Sequence, residues 1–270
     1  MKIKVLIDNL AEGNLKKEWG LCIYIEYNDK KILLDTGSSS KFAKNAKKLN
    51  INLNQIDFGI LSHAHYDHSN GLKKFFSVNK NAKFYMRKTV SENCYHHFKY
   101  FNKYIGIHKG WLKKFESRIE YVDKMFSISE GITLLGHYDQ NLNIIGERAH
   151  LYIKEKNKFI PDNFSHEQSL IFDTQNGLVI FNSCSHAGAD NILKEVTDIF
   201  PSKKIYAIIG GFHLFPLKDE EIKDFAKRVK ETGIKKIITG HCTGERAFNI
   251  LKEELLDSAL QFYTGFEIDL

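Results

Sequence analysis

The sequence predicts a layered α/β fold, on three observations. Short apolar runs alternate with amphipathic helical stretches at both ends of the chain. Turn residues such as Asn28-Asp29 and the segment 174–177 join neighbouring runs into hairpins. A dense group of histidines begins where one apolar run stops.

In chain order, 3–7 and 21–27 are expected as strands, with 31–35 a third after the turn at Asn28-Asp29. Ser38, Ser39 and Ser40 can cap a helix with Phe42, Ala43, Ala46 and Leu49 on one face. Residues 58–62 form a short apolar strand leading into the histidine cluster. In the last third, 169–173 and 178–181 pattern as a hairpin, and Ile192, Leu193, Val196 and Ile199 mark a helix face. A strand over 205–209 is followed by a helix capped by Asp219, with Ile222, Phe225, Ala226 and Val229 inside and Gly233 closing it. A strand over 236–239 and a helix carrying Phe248, Leu251 and Leu255 complete the pattern. The middle, 84–165, is crowded with aromatic residues and holds His96, His97 and His108. It reads as an insertion, either an aromatic mini-core or a lid over a substrate.

Composition narrows the classes. A chain of 270 residues with 43% hydrophobic and 27% charged residues is ordinary globular material, which excludes disorder, collagen and coiled coil. At this size about 70–75% of the unfolded surface can be buried. No apolar run approaches the roughly 18 residues of a membrane helix, and the start has too short an apolar stretch for a signal peptide. A cytoplasmic location is therefore expected. The net charge of +6 is spread over lysine pairs, which suits a solvated surface and anionic small substrates better than nucleic acid. Four cysteines far apart, without a CxxC pair, argue against a disulfide framework.

The chemistry concentrates in residues 61–71, where His63, His65, Asp67 and His68 fall within six positions. Imidazole and carboxylate groups are ligands for zinc and neighbouring metals. In an extended segment His63 and His65 point the same way, and the following loop can turn Asp67 and His68 toward the same space.

This HxHxDH run resembles the signature of the metallo-β-lactamase-fold superfamily, which includes glyoxalase II, ribonuclease Z-type nucleases and flavodiiron proteins. Asp35-Thr-Gly37 is similar to the aspartate–glycine turn that precedes the motif there. Together with Cys184-Ser-His-Ala-Gly188, Gly210-Gly-Phe-His-Leu214 and His241-Cys-Thr-Gly244, it resembles one branch. That branch holds the 7,8-dihydropterin-6-yl-methyl-(ribofuranosylamino)benzene 5′-phosphate synthase-like metal-dependent hydrolases. The likeness covers about 1–75 and 165–270.

The resemblance implies an αββα four-layer sandwich, a single domain over 1–270 carrying the insertion at about 84–165. It implies two divalent metal ions, zinc foremost, with iron or manganese as alternatives. His63 and His65 would hold one ion, and Asp67, His68 and His241 the other. No aspartate stands at the bridging place, so His186 is taken as a ligand. Cys184 is read as a buried inert thiol beside the metals, with thiolate ligation as the alternative. Glu167 or His166 could supply a missing ligand, and Asp35 would orient a ligand histidine. The implied enzyme is a hydrolase acting through metal-bound hydroxide on a small, anionic or phosphorylated substrate, with Asp67 and His213 as catalytic groups. The alternatives are a synthase-like transferase and a di-iron redox protein, the latter lacking room for a flavin domain. The expected partner is a small molecule, not a membrane or nucleic acid.

Overall fold

The β-branched and aromatic runs at the start of the chain pair with one another before any helix intervenes. In the computed structural model of the protein, which describes residues 1–137 and 141–270, Lys2–Ile7 pairs antiparallel with Cys22–Tyr27, and Cys22–Tyr27 with Lys30–Leu34. From there the sheet turns parallel, through Phe58–Ile60 and Lys83–Arg87 to Ile119–Val122, while Glu267–Asp269 closes its other edge. The helix Lys41–Lys48 buries Phe42, Asn45 and Ala46, and Leu72–Val78 buries Leu72, Phe75 and Phe76. Phe42, Ala46, Leu72, Phe75 and Phe76 join Leu33, Leu61 and Phe84 in one apolar cluster. Its burial is the main driving force for this layer.

The described residues divide into two compact units. One comprises 1–123, 141–167 and 263–270; the other comprises 124–137 and 168–262. The second unit has its own sheet. Met125–Ser129, Ile132–Gly136, Gln168–Thr174 and Gly177–Phe181 run antiparallel, and Ile205–Gly210, Lys236–Thr239 and Ala259–Gln261 add parallel strands. The hairpin read from the sequence has the register Asp173 opposite Leu178 and Thr174 opposite Gly177.

The first helix starts at Lys41 with Ser40 at the cap position, but Ser40 makes no side-chain cap bond. Ser39 Oγ accepts the Lys41 amide instead, at 3.2 Å. The helix Asp219–Glu231 differs from expectation in its cap. Lys218, not Asp219, holds the cap position, and Glu221 accepts the Lys218 amide at 2.9 Å. Asp219, Glu220 and Glu221 thereby lie in the first turn, where the helix dipole favours carboxylates.

The span 84–165 distributes over three sheets. Lys83–Arg87 and Ile119–Val122 complete the first sheet, and Met125–Ser129 and Ile132–Gly136 belong to the second. Lys158–Pro161, Leu151–Glu155, Cys94–His97 and Asn102–Tyr104 form a separate antiparallel sheet in the first unit. On this sheet Tyr95 packs edge-to-face against Tyr104 and Phe159, at 5.2 and 5.1 Å. Phe98, Tyr100 and Phe101 stay exposed. Among the described residues no helix is long and apolar enough to cross a membrane.

Candidate metal centre

Sites of α/β folds gather at the carboxyl ends of parallel strands, because the chain leaves the sheet there and side chains can converge. In the first unit two such ends lie side by side. Asp35 follows Lys30–Leu34 in the left-handed region, φ +60°, and its amide bonds Ile60 O across the strands. Strain at a fully buried aspartate is sustained by the groups around it. Its carboxylate accepts the Ser62 amide and the Ser62 hydroxyl, each at 2.7 Å, and lies 2.7 Å from His68 Nδ1.

That arrangement fixes tautomers. Ser62 has a single hydroxyl proton, which goes to Asp35, an acceptor only. Ser62 Oγ is also 2.8 Å from His63 Nδ1, so His63 must donate there. His68 donates through Nδ1 to Asp35. Both rings then carry their lone pair on Nε2, the nitrogen a metal would take. His63 Nε2 is 3.0 Å from His65 Nδ1, and His68 Nε2 is 3.7 Å from Asp67 Oδ2. The His63 and His68 rings are 4.2 Å apart between centroids. Burial pushes the His65 imidazolium down to about 3, so that ring is neutral, as a ligand must be. Three imidazoles and a carboxylate so arranged fit a divalent cation of the zinc type.

The backbone around them is closely held. Asp67 and His68 lie in the helical turn Tyr66–Ser69. His65 forms an isolated bridge with Gly106, and the Tyr66 amide donates to Ile105 O at 2.8 Å. Part of the 84–115 span thus lies directly on the loop that carries His65 and Tyr66. His97 and His108 are exposed.

A second set of donors in the same unit was not evident in the sequence. His65, Cys94, Asp162 and His166 are all buried, with donor atoms within 4.8 Å of one another. Cys94 comes from a strand of the separate sheet, far in sequence from the others, while Asp162 lies four residues before His166 at the end of another of its strands. Burial pushes the Cys94 thiol up, which keeps it protonated. Glu167 is buried beside His166, at the entry to Gln168–Thr174.

In the second unit the sequence-predicted residues also lie at strand ends. Cys184 and His186 follow Gly177–Phe181, His213 follows Ile205–Gly210, and His241 follows Lys236–Thr239. Ser185, His213 and His241 take left-handed φ values of 44°, 50° and 49°. For non-glycine residues this is costly, and such positions cluster in functional loops. Asn182 Oδ1 holds the Ser185 amide at 2.6 Å, and Thr243 Oγ1 holds the Phe212 amide at 2.9 Å. Gly211 is required where it stands, since a Cβ there would lie 2.5 Å from Cys242 Sγ. The His186 and His213 rings are 4.7 Å apart, and Cys184, His186 and His213 form one donor group. Cys184, His241 and Cys242 form another, with the two sulfurs 3.2 Å apart. Cys242 was not singled out in the sequence. A network of the half-buried Glu195 with buried His137, Ser169 and Asn182 backs this region, with His137 Nδ1 2.6 Å from Glu195 and Nε2 2.8 Å from Ser169 Oγ.

The family model of the metallo-beta-lactamase superfamily matches residues 20–151. A relative in Methanocaldococcus jannaschii, 7,8-dihydropterin-6-methyl-4-(beta-D-ribofuranosyl)-aminobenzene-5'-phosphate synthase, is 32% identical over 98% of this chain and 95% of its own length. Among solved structures, Tm1679, a metal-dependent hydrolase of the beta-lactamase superfamily, is 30% identical, with a TM-score of 0.86 over 100% of this chain and 99% of that one. Zinc-bound PqqB from Methylobacterium extorquens shares only the fold, at 9% identity and a TM-score of 0.57 over the whole of both chains. The chain therefore belongs to the metallo-β-lactamase superfamily and has its α/β fold.

Proposed function

We propose that the protein is a metal-dependent hydrolase of small anionic substrates, phosphorylated ones foremost. The observation that carries this reading is the Asp35–Ser62 pair, which turns the Nε2 lone pairs of His63 and His68 away from the groups that hold Nδ1. A protein without a metal has no evident use for two buried imidazoles locked in the same tautomer. In this reading His63, His65, Asp67 and His68 would hold a divalent ion in the first unit, and His186 and His241 offer imidazole ligands in the second. A bound ion of this kind would polarise the scissile bond and bring the pKa of a water to about 7. Asp67, as a carboxylate, accepts the proton that water gives up. His213, on a loop beside His186, donates a proton to the leaving group. Asp35 keeps His68 in its ligating tautomer. The name of Tm1679 and the chain's surplus of basic residues support hydrolysis and an anionic substrate.

The name of the Methanocaldococcus relative favours a second reading, a transferase in which the amine of a phosphoribosylated aminobenzene displaces a leaving group such as diphosphate from the 6-methyl carbon of a reduced pterin. The test begins with elemental analysis of protein purified without added metal. The protein is then offered phosphoesters, thioesters and lactones, and separately a reduced pterin carrying a diphosphate on its 6-methyl carbon together with a ribofuranosylaminobenzene phosphate. Metal with hydrolysis of an anionic ester supports the first reading. A joined product with no hydrolysis supports the second, and absence of bound metal overturns both.

A further inference from the structure

The group His65, Cys94, Asp162 and His166 has the donors of a tetrahedral metal site, and His166 stands where a missing ligand of the main site could be sought. Its hydrogen bonds point elsewhere. His166 Nδ1 accepts the backbone N–H of Ala64 at 3.3 Å. Ala64 is the residue between His63 and His65. A ring nitrogen that accepts carries no proton, so with Nδ1 facing the Ala64 N–H the N–H of the ring sits at Nε2. There it faces Asp162 Oδ2 at 3.1 Å and Cys94 Sγ at 3.7 Å. A metal at Nε2 would drive that proton onto Nδ1, directly against the Ala64 N–H.

The far end of this chain of bonds is anchored. The Asp162 amide donates to Leu151 O at 3.0 Å, and Asp162 Oδ1 accepts the Phe164 amide at 2.8 Å. Phe164 is fully buried at φ +49°, and the Glu167 amide returns to Phe164 O at 2.8 Å. The turn 162–167 therefore has little freedom, and it presents His166 to the ligand loop from a fixed base.

We propose that His166 is a positioning residue, not a metal ligand: with Asp162 it clamps the backbone between His63 and His65 through the Ala64 amide. The proposal rests on the reading of His63 and His65 as ligands. It gives a buried Asp–His pair outside the HxHxDH run the task of setting the spacing of the first two ligands.

The experiment compares His166→Asn, His166→Gln and His166→Ala in the full chain. Asparagine places an amide oxygen near the Nδ1 position and can still accept from Ala64. Glutamine places its amide near Nε2, so it can serve Asp162 but leaves Ala64 unpaired. Zinc affinity is measured by competition with a chromophoric chelator, and zinc per chain at saturation by elemental analysis. Amide exchange is followed in the peptide containing Ala64, in zinc-free protein. The expected result is near-wild-type affinity and exchange for H166N. For H166Q and H166A, affinity should fall by about 10- to 100-fold, the usual effect of losing a group behind a ligand, and exchange at Ala64 should be faster. Zinc per chain at saturation should be unchanged in all three. One zinc fewer per chain in H166N and H166A alike would make His166 a ligand and overturn the proposal. If the wild-type protein takes up no zinc, the metal reading falls by itself. The exchange comparison still decides the clamp, and equal exchange at Ala64 in all forms would overturn it.

Discussion

The ligand loop of the first unit and the histidine loops of the second reach comparable donor groups by opposite routes. In the first, His63, His65, Asp67 and His68 come from six consecutive residues, and the strand end and helical turn on which they sit do the converging. In the second, His186, His213 and His241 come from three loops more than 25 residues apart, and only the parallel order of the strands brings them to one edge. The first arrangement is stabilised by side chains of its own segment and its neighbour, Ser62 and Asp35. The second relies on strained backbone at Ser185, His213 and His241, held by Asn182 and Thr243. Donors from one segment thus need orientation, and donors from separate loops need those loops fixed.

The largest effect expected is on the local group. His65→Ala and Asp67→Ala should each lower zinc affinity by more than about 100-fold, beyond what loss of a supporting group costs, and activity should fall with it. Equilibrium dialysis against zinc checks this, and full occupancy in both variants would remove these residues from the site. His186→Ala tests the dispersed group in the same assay. A substantial loss of affinity is expected, and an unchanged value would leave the second unit's histidines with a substrate role alone.

The same contrast explains what could be read in advance. The strands and helices with clean alternation or a 3.6-residue face, such as 169–181 and 219–231, were legible because their periodicity is local. His63, His65, Asp67 and His68 could be picked out as candidates because their spacing is local, and Asp35 only through the turn Asp35-Thr-Gly37 that resembles the superfamily's. Ser62 lies inside the motif and still carried no signal, because its role depends on Asp35 arriving from the next strand. Cys94 and Cys242 carried none either, since each meets its partner only through tertiary pairing, and Asp162, four residues before His166, lies in a turn without a periodic pattern. The span 84–165 was read as one insertion because its aromatic content is uniform. Strand pairing, which composition does not encode, sends its parts to three sheets.

A smaller effect is expected behind the ligands. Asp35→Asn keeps the shape but replaces an acceptor by an amide that must present an N–H to one of its three donors. His68 then loses its fixed tautomer, and zinc affinity should fall by about 10- to 100-fold. Ser62→Ala frees only the His63 ring and should cost less. If Ser62→Ala proves the more damaging of the two, the relay runs through His63 and the ranking of the two rings must be reversed.

The smallest effect is expected at Cys184, although it lies closer in sequence to the dispersed ligands than any other thiol but Cys242. Its sulfur is buried, 3.2 Å from Cys242 Sγ, in a contact that uses the Cys184 thiol proton as donor. Cys242 Sγ in turn accepts the His213 amide at 3.3 Å. Each sulfur therefore already has a partner: burial raises the Cys242 thiol, but the Cys184 S–H and the nearby His213 and His241 outweigh it and hold Cys242 well below the usual cysteine range, so Cys242 is the acceptor and Cys184 the donor of their contact. Cys184→Ala should leave zinc affinity within a few-fold of wild type and cost about 1 kcal/mol of stability through lost packing, read from a denaturant midpoint. Cobalt-substituted protein supplies an independent measurement, because a sulfur ligand produces a strong near-ultraviolet charge-transfer band. No such band is expected. Its presence in the wild type, and its loss in Cys184→Ser, would make Cys184 a ligand in place of His186. The bound metal would then be less positive, and its water a weaker acid, than a site built from imidazole at that position.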